Sequence, residues 1–102
     1  MEWREVTSDD ALFKFINMGD FVEGKLKSTS ISSLNTKIYH VERSDGSKVA
    51  FYGSAVINTK MSNVAVGDYF KLEYIGDKRS QEGKPYKNYK LYVPTDDAED
   101  VV

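Results

Sequence analysis

From Gly19-Asp20 onward the chain alternates apolar and polar residues. In FVEGKLKST (21–29), Val22, Gly24 and Leu26 fall on one side, and Phe21, Glu23, Lys25 and Lys27 on the other. A period of two places each set on one face of a strand. Gly24 inside this run predicts a bulge or sharp bend. SISSLN (30–35) is a polar connection, and TKIYHVER (36–43) is rich in β-branched and aromatic residues and predicts a second strand. SDGS (44–47) predicts a hairpin turn in which Gly46 takes a positive φ cheaply, and KVAFYG (48–53) is the returning strand.

The spacing then changes. SAVINTKMSNV (54–64) places Val56, Ile57, Met61 and Val64 at helical intervals, which predicts a short amphipathic helix. AVGD (65–68) is a turn. YFKLEYIG (69–76) predicts a fourth strand with Phe70, Leu72 and Tyr74 on one face. DKRSQEGKP (77–85) carries the breakers Gly83 and Pro85 and predicts a loop. YKNYKLYV (86–93) is the fifth strand, with Tyr89, Leu91 and Val93 toward the core, and Pro94 ends it. Three strands, a helix and a two-stranded hairpin match the element order of the OB-fold. That fold is a five-stranded, partly open barrel that binds oligonucleotides or oligosaccharides on its strand 2–3 face and on its strand 1–2 and 4–5 loops. The expected fold class is thus all-β, an OB-fold barrel with a helix between strands 3 and 4.

The ends are less regular. SDDALFKFI (8–16) suits either a short helix capped by Ser8 or Asp9, or an extended arm that pins Trp3 and Phe15 onto the barrel. The expected organisation is an arm over 1–19, a barrel domain over 20–94 and a flexible acidic tail over 95–102.

Composition narrows the function classes. The chain has 102 residues, 40% of them hydrophobic and 13% aromatic, which suits one globular domain. No apolar run approaches the roughly 20 residues of a membrane span, and MEWREVTSDD lacks the apolar core of a secretion signal. With no cysteine, disulfides and thiolate metal sites are excluded, and a cytoplasmic location is expected (the host cytoplasm for a viral protein). No cofactor and no membrane partner are expected. The net charge of −2 conceals a segregation: residues 20–93 balance to +4, residues 1–19 to −2 and residues 94–102 to −4. The middle of the chain is mildly basic and both ends are acidic.

Several stretches together carry a family likeness: GDFVEGKL, YHVERSDGSKVAFYGSAVI, MSNVAVGDYFKLEYIG and GKPYKNYKLYV, behind a short N-terminal segment with Trp3. The most specific parts are Tyr52-Gly53 ahead of the helix, Val66-Gly67-Asp68 opening the fourth strand, and Gly83-Lys84-Pro85-Tyr86-Lys87 opening the fifth. From Trp3 to Val93 the chain resembles the small OB-fold single-stranded DNA-binding proteins of bacteriophages. That family often has Trp where this chain has Tyr52. The resemblance implies single-stranded DNA as partner, in replication or recombination. It also implies that the acidic tail recruits other proteins, as in bacterial single-stranded DNA-binding proteins. Here the tail offers Asp96, Asp97, Glu99 and Asp100, and it ends in Val101-Val102 where those tails end in Pro-Phe.

Binders of single strands combine a basic groove with rings on which bases stack. With Val49 and Phe51 assigned to the core, Tyr52 points to the binding face, and Ile38 and His40 lie beside it. The alternative register exposes Tyr39 instead. Lys78, Arg79, Lys84 and Lys87 supply phosphate contacts from the strand 4–5 loop, Tyr86 a base contact at the loop exit, and Lys37 an extension of the groove. Lys25 and Lys27 flank the strand 1–2 loop as weaker candidates. Bland alternatives stand beside each assignment: Tyr52 as a ring covering a neighbouring strand, His40 as a partly buried polar residue, the loop cations as a solvated hairpin, and the tail as a solubilising end. A competing class is an OB-type interaction or assembly domain without a nucleic-acid role, and a homo-oligomer fits either class. An enzyme is disfavoured. His40 is the one histidine, and the paired carboxylates Asp9-Asp10 and Asp96-Asp97 fall in the arm and tail.

Overall fold

A computed structural model describes residues 11–94. Trp3, the candidate caps Ser8 and Asp9, and the whole acidic tail lie outside the described residues. The protein is mostly β: a curled six-stranded sheet, a half-barrel, with one short helix. In chain order the elements are β1 (Ala11–Leu12), β2 (Phe21–Ile31), β3 (Lys37–Glu42), β4 (Lys48–Tyr52), α1 (Ala55–Met61), β5 (Tyr69–Arg79) and β6 (Pro85–Tyr92). The sheet order is β1-β4-β3-β2-β5-β6.

The alternation read from the sequence matches the burial except at Ala50, which was placed on the Tyr52 face and is buried where β1 pairs beside it. Val22, Leu26, Tyr39, Val41, Val49, Phe51, Phe70, Leu72, Tyr74 and Tyr89 line the core, and Ile57, Met61 and Val64 join them from α1 and the turn after it. Tyr39 is buried, so the register that would expose it is not adopted. Val93 departs from its expected place: it lies beyond the end of β6 and is 53% exposed. At Gly24 (φ +154) the two central strands β2 and β3 press together, and a Cβ there would run into the Glu42 carbonyl. β2 bulges just beyond, between Leu26 and Ser28. There the Leu26 amide and carbonyl turn to Asp68 and Gly67 in the connection to β5.

Ser54 caps α1 by accepting from the Ile57 amide at 3.3 Å. The Tyr39 hydroxyl donates to Asn58 Oδ1 at 2.7 Å, which ties the helix to the sheet.

Two segments differ from expectation. From residue 11 onward the arm takes the extended one of its two expected forms, with Phe15 in the core, but it adds β1 to the five strands expected. β1 runs parallel to β4, and the Phe13 amide donates to the Ala50 carbonyl at 2.8 Å. The arm then crosses to the other end of the sheet, where the Gly19 amide meets the Tyr74 carbonyl. Asp20 holds the turn by accepting from Ile16 and Asn17 amides at 2.9 and 2.7 Å, and these bonds lower its carboxyl below the usual range. Phe15 plugs the seam between β4 and β6, edge-on to Phe51 (5.7 Å) and Tyr89 (5.1 Å).

The second difference is the expected loop over 77–85. β5 continues to Arg79 and β6 begins at Pro85, with Asp77 opposite Lys87, Lys78 opposite Tyr86 and Arg79 opposite Pro85. A tight turn over 80–84 is left, closed by Ser80 and Lys84 backbone bonds. The charged, Gly- and Pro-bearing composition resembles a loop, but ladder hydrogen bonds depend on the backbone and not on apolar side chains.

Three core tyrosines give the fold an alkaline limit. The Tyr74 hydroxyl donates to Asp77 Oδ1 at 2.6 Å, and that bond, with burial, pushes its pKa from 10.0 up to about 12. Burial raises Tyr39 and Tyr89 as well. The folded state therefore holds these protons more tightly than the unfolded chain. The stabilisation is complete below pH 10 and is lost as the pH rises toward about 12. Urea unfolding at stepped alkaline pH is expected to show this decline, and Tyr74→Phe is expected to make it shallower.

Candidate functional site

The outer face of the β2–β3–β4 meander gathers the first group of candidates. Tyr52 lies directly opposite Ile38, which lies opposite Ser30. One row along, Ala50, His40 and Ser28 stand in register, and Lys48 follows opposite Glu42. Tyr52 is 49% exposed, Ile38 and His40 are half-buried, and Ala50 forms a small floor between Tyr52 and Lys48. Ser30 Oγ and His40 Nε2 are hydrogen-bonded at 2.9 Å. Lys37 opens β3 at the same end. Its ammonium sits 5.3 Å from the Tyr39 ring centroid, and its carbonyl accepts from the Gly53 amide.

A groove of about 190 Å³ runs along this face, lined by Lys27, Ser28, His40, Val41 and Lys48. Two ammoniums, an imidazole and a hydroxyl around one hollow suit an anionic oxygen. Glu42 tempers the charge through an exposed pair with Lys27 at 3.8 Å. Lys48 and Ser28 were missed in the sequence. Lys48 was accessible, because it alternates with Ala50 and Tyr52 on one strand face. Ser28 was not, because the bulge at Lys27 shifts its register.

The β5–β6 hairpin carries the second group, and the structure divides it. Lys78 and Tyr86 face each other on one side. Arg79 braces the turn by donating from Nη1 to the Gly83 carbonyl at 2.8 Å, and Lys84 is exposed in that turn. Tyr86, 37% exposed, shares a groove of about 310 Å³ with Ala55, Val56, Thr59, Lys60 and Asn88, so it belongs with α1 and not with the Tyr52 row. Lys87 points the other way. Its ammonium donates to the Phe15 carbonyl at 2.7 Å and lies 5.2 Å from the Tyr74 ring centroid. Its first role is to hold the arm.

Neither family models, curated proteins nor solved structures give a match to this chain.

Among the described residues, no cluster of three His, Asp or Glu side chains is placed to hold a metal ion. No helix among them is long and apolar enough to cross a membrane. What the meander face offers chemically is a half-exposed ring, a polar row and a cationic groove. Those features suit reversible binding of a ligand with flat apolar parts and anionic parts.

Proposed function

We propose that the protein binds single-stranded DNA without reading its sequence and acts in phage-type replication or recombination. The observation that carries this proposal is the meander face: an exposed Tyr52 ring lies in register with Ile38, one row from the Lys27–His40–Lys48 groove. A base stacks on the ring, and the groove takes a neighbouring phosphate. The sheet order β4-β3-β2-β5-β6, with α1 between β4 and β5 in the chain, supports an OB-fold whose seam is filled by the arm. The two long hairpins would then flank the bound strand. The acidic tail would serve as a docking segment for replication or recombination proteins.

Fluorescence anisotropy with labelled oligo-dT, oligo-dA and duplex DNA over a salt series tests the proposal. Both single strands are expected to bind at low salt and to weaken as salt rises. Absence of single-strand binding at low salt would overturn it, and a preference for duplex would redirect it.

Lys78→Ala combined with Lys84→Ala is expected to reduce the log–log salt slope by about 1.4, at roughly 0.7 per phosphate on a single strand. Lys87→Ala is expected to leave that slope in place and to lower unfolding stability, because its ammonium is spent on Phe15.

A second observation favours partner docking at a separate place. Ile31 and Leu34, 60% and 86% exposed, sit at the tip of the β2–β3 hairpin, where solvent alone would favour polar residues.

A further inference from the structure

The outer face of β2, β5 and β6 carries rings that play no part in the site above. Phe21, Tyr69 and Tyr92 are 44%, 56% and 41% exposed. They come from three separate segments, and cross-strand register assembles them. Glu23, Lys71 and Tyr92 form one row, flanked by Phe21–Glu73–Lys90 on one side and Lys25–Tyr69 on the other. A solvated outer face needs no large rings. Here they interleave with three lysines in a checkerboard.

Each ring is already visited by a cation. The Lys71 ammonium is 4.5 Å from the Phe21 centroid and 5.5 Å from that of Tyr92. Lys25 lies 5.6 Å from Tyr69, and Lys90 lies 5.8 Å from Tyr92. A plain sheet surface with loose cation–π contacts would look the same up to this point. Two further features set this face apart. First, between Tyr69 and Tyr92 a slot of about 240 Å³ opens, with Glu23, Gly24, Phe70 and Lys71 among its lining. Second, the face is continuous with the meander face. Lys48, Glu42, Lys25 and Tyr69 stand in one unbroken row across β4, β3, β2 and β5. A strand leaving the Lys27–His40–Lys48 groove would reach Lys25 and Tyr69 without crossing a loop.

We propose that the Tyr69–Tyr92 slot is a second nucleobase site, where the strand held on the meander face continues around the barrel. This rests on the single-strand proposal above. A base entering the slot stacks on Tyr69 or Tyr92 and displaces the ammoniums from the ring faces. Lys25, Lys71 and Lys90 are then left at the rim, where the flanking phosphates lie. Glu23 is placed to accept a hydrogen bond from an exocyclic amino group, which cytosine, adenine and guanine all carry, so the contact requires no one sequence. Glu23 and Glu73 also hold the net charge of the face low. The slot therefore adds base contact more than long-range attraction.

Length dependence separates this site from the first. Labelled oligo-dC of about 6 and about 16 nucleotides spans the range that one such barrel covers. The test variant is Tyr69→Leu with Tyr92→Leu, which keeps apolar bulk and removes both rings. Unchanged circular dichroism and thermal midpoint would verify its fold. Its affinity for the short oligonucleotide is expected to match that of the unaltered chain, and its affinity for the long one to fall at least fivefold. Lys71→Gln is expected to lower the salt slope for the long oligonucleotide and not for the short one. Long-oligonucleotide affinity within twofold of the unaltered chain would overturn the second site while the first stands. Failure of the unaltered chain to bind either length would instead remove the single-strand proposal, and this one with it. Light scattering closes the remaining route: a dimeric unaltered chain and a monomeric Tyr69→Leu/Tyr92→Leu variant would make this face an interface between copies and overturn the proposal.

Discussion

Phe15→Ala is expected to cost about 3–5 kcal/mol of unfolding free energy, the usual range for deleting a buried ring. The residue precedes the regular barrel and lies in an arm with two residues of strand. Yet it is 6% exposed and makes edge-on contacts with Phe13, Phe51 and Tyr89. Those partners come from the arm, β4 and β6, so one ring joins the two sides of the seam. Removing it opens a cavity lined by the Phe13, Phe51 and Tyr89 rings. Domains of this size hold about 5–15 kcal/mol in total, so the loss would leave a marginal fold. Ile16, the next residue, is 66% exposed, and Ile16→Ala is expected to change stability by about 0.5 kcal/mol or less. Urea unfolding followed by circular dichroism distinguishes the two. Equal midpoints for Phe15→Ala and Ile16→Ala would show that the arm is not part of the core. Phe15→Leu is expected to recover part of the loss by refilling the volume.

The arm also marks where sequence pattern stops being informative. The strands of the meander were legible because each has one buried and one solvated face. Val49 and Phe51 against Tyr52, and Tyr39 and Val41 against Ile38 and His40, separate at a period of two, and burial follows that separation apart from Ala50, which the arm strand β1 covers. The helix was legible for the same reason at a different period. The arm has no such constraint. Its conformation is set by what the far side of the barrel lacks, a plug between β4 and β6. SDDALFKFI therefore suits a helix or an extended arm equally well, and only the packing of Phe15 decides between them.

The hairpin over 77–87 misleads in the opposite direction. Its side chains are those of a loop, while its backbone is paired almost to the tip. That pairing sets Tyr86 beside Lys78 and turns Lys87, its neighbour in sequence, to a different role. The Tyr69–Tyr92 face is a third case. Each ring was visible alone, but its partners are tens of residues away, and the register that aligns Glu23, Lys71 and Tyr92 is a tertiary fact. Local alternation tells which way a side chain points. It does not tell which strand lies next to it.

Tyr52→Ala is expected to weaken single-strand binding about 5- to 150-fold, the equivalent of about 1–3 kcal/mol for one lost stack. The ring suits this test because it contributes little else. It is 49% exposed at the last position of β4, and its backbone pairing with Ile38 survives the substitution. The thermal midpoint is therefore expected to stay close to that of the unaltered chain. Tyr39, on the inner face of the next strand, offers the contrast. It stacks on Phe51 at 5.1 Å and bonds Asn58, so Tyr39→Ala would lose binding by losing the fold. Tyr52→Phe is expected to retain most of the affinity, since the face of the ring and not its hydroxyl does the stacking. The salt slope is expected to remain as it was in both Tyr52 variants, because neither removes a cation. A loss of affinity with the slope and midpoint unchanged is the signature of a missing stack. A fall in slope would instead mean that Tyr52 had been positioning the Lys27–Lys48 groove. Unchanged affinity would mean that the bases lie elsewhere on the barrel.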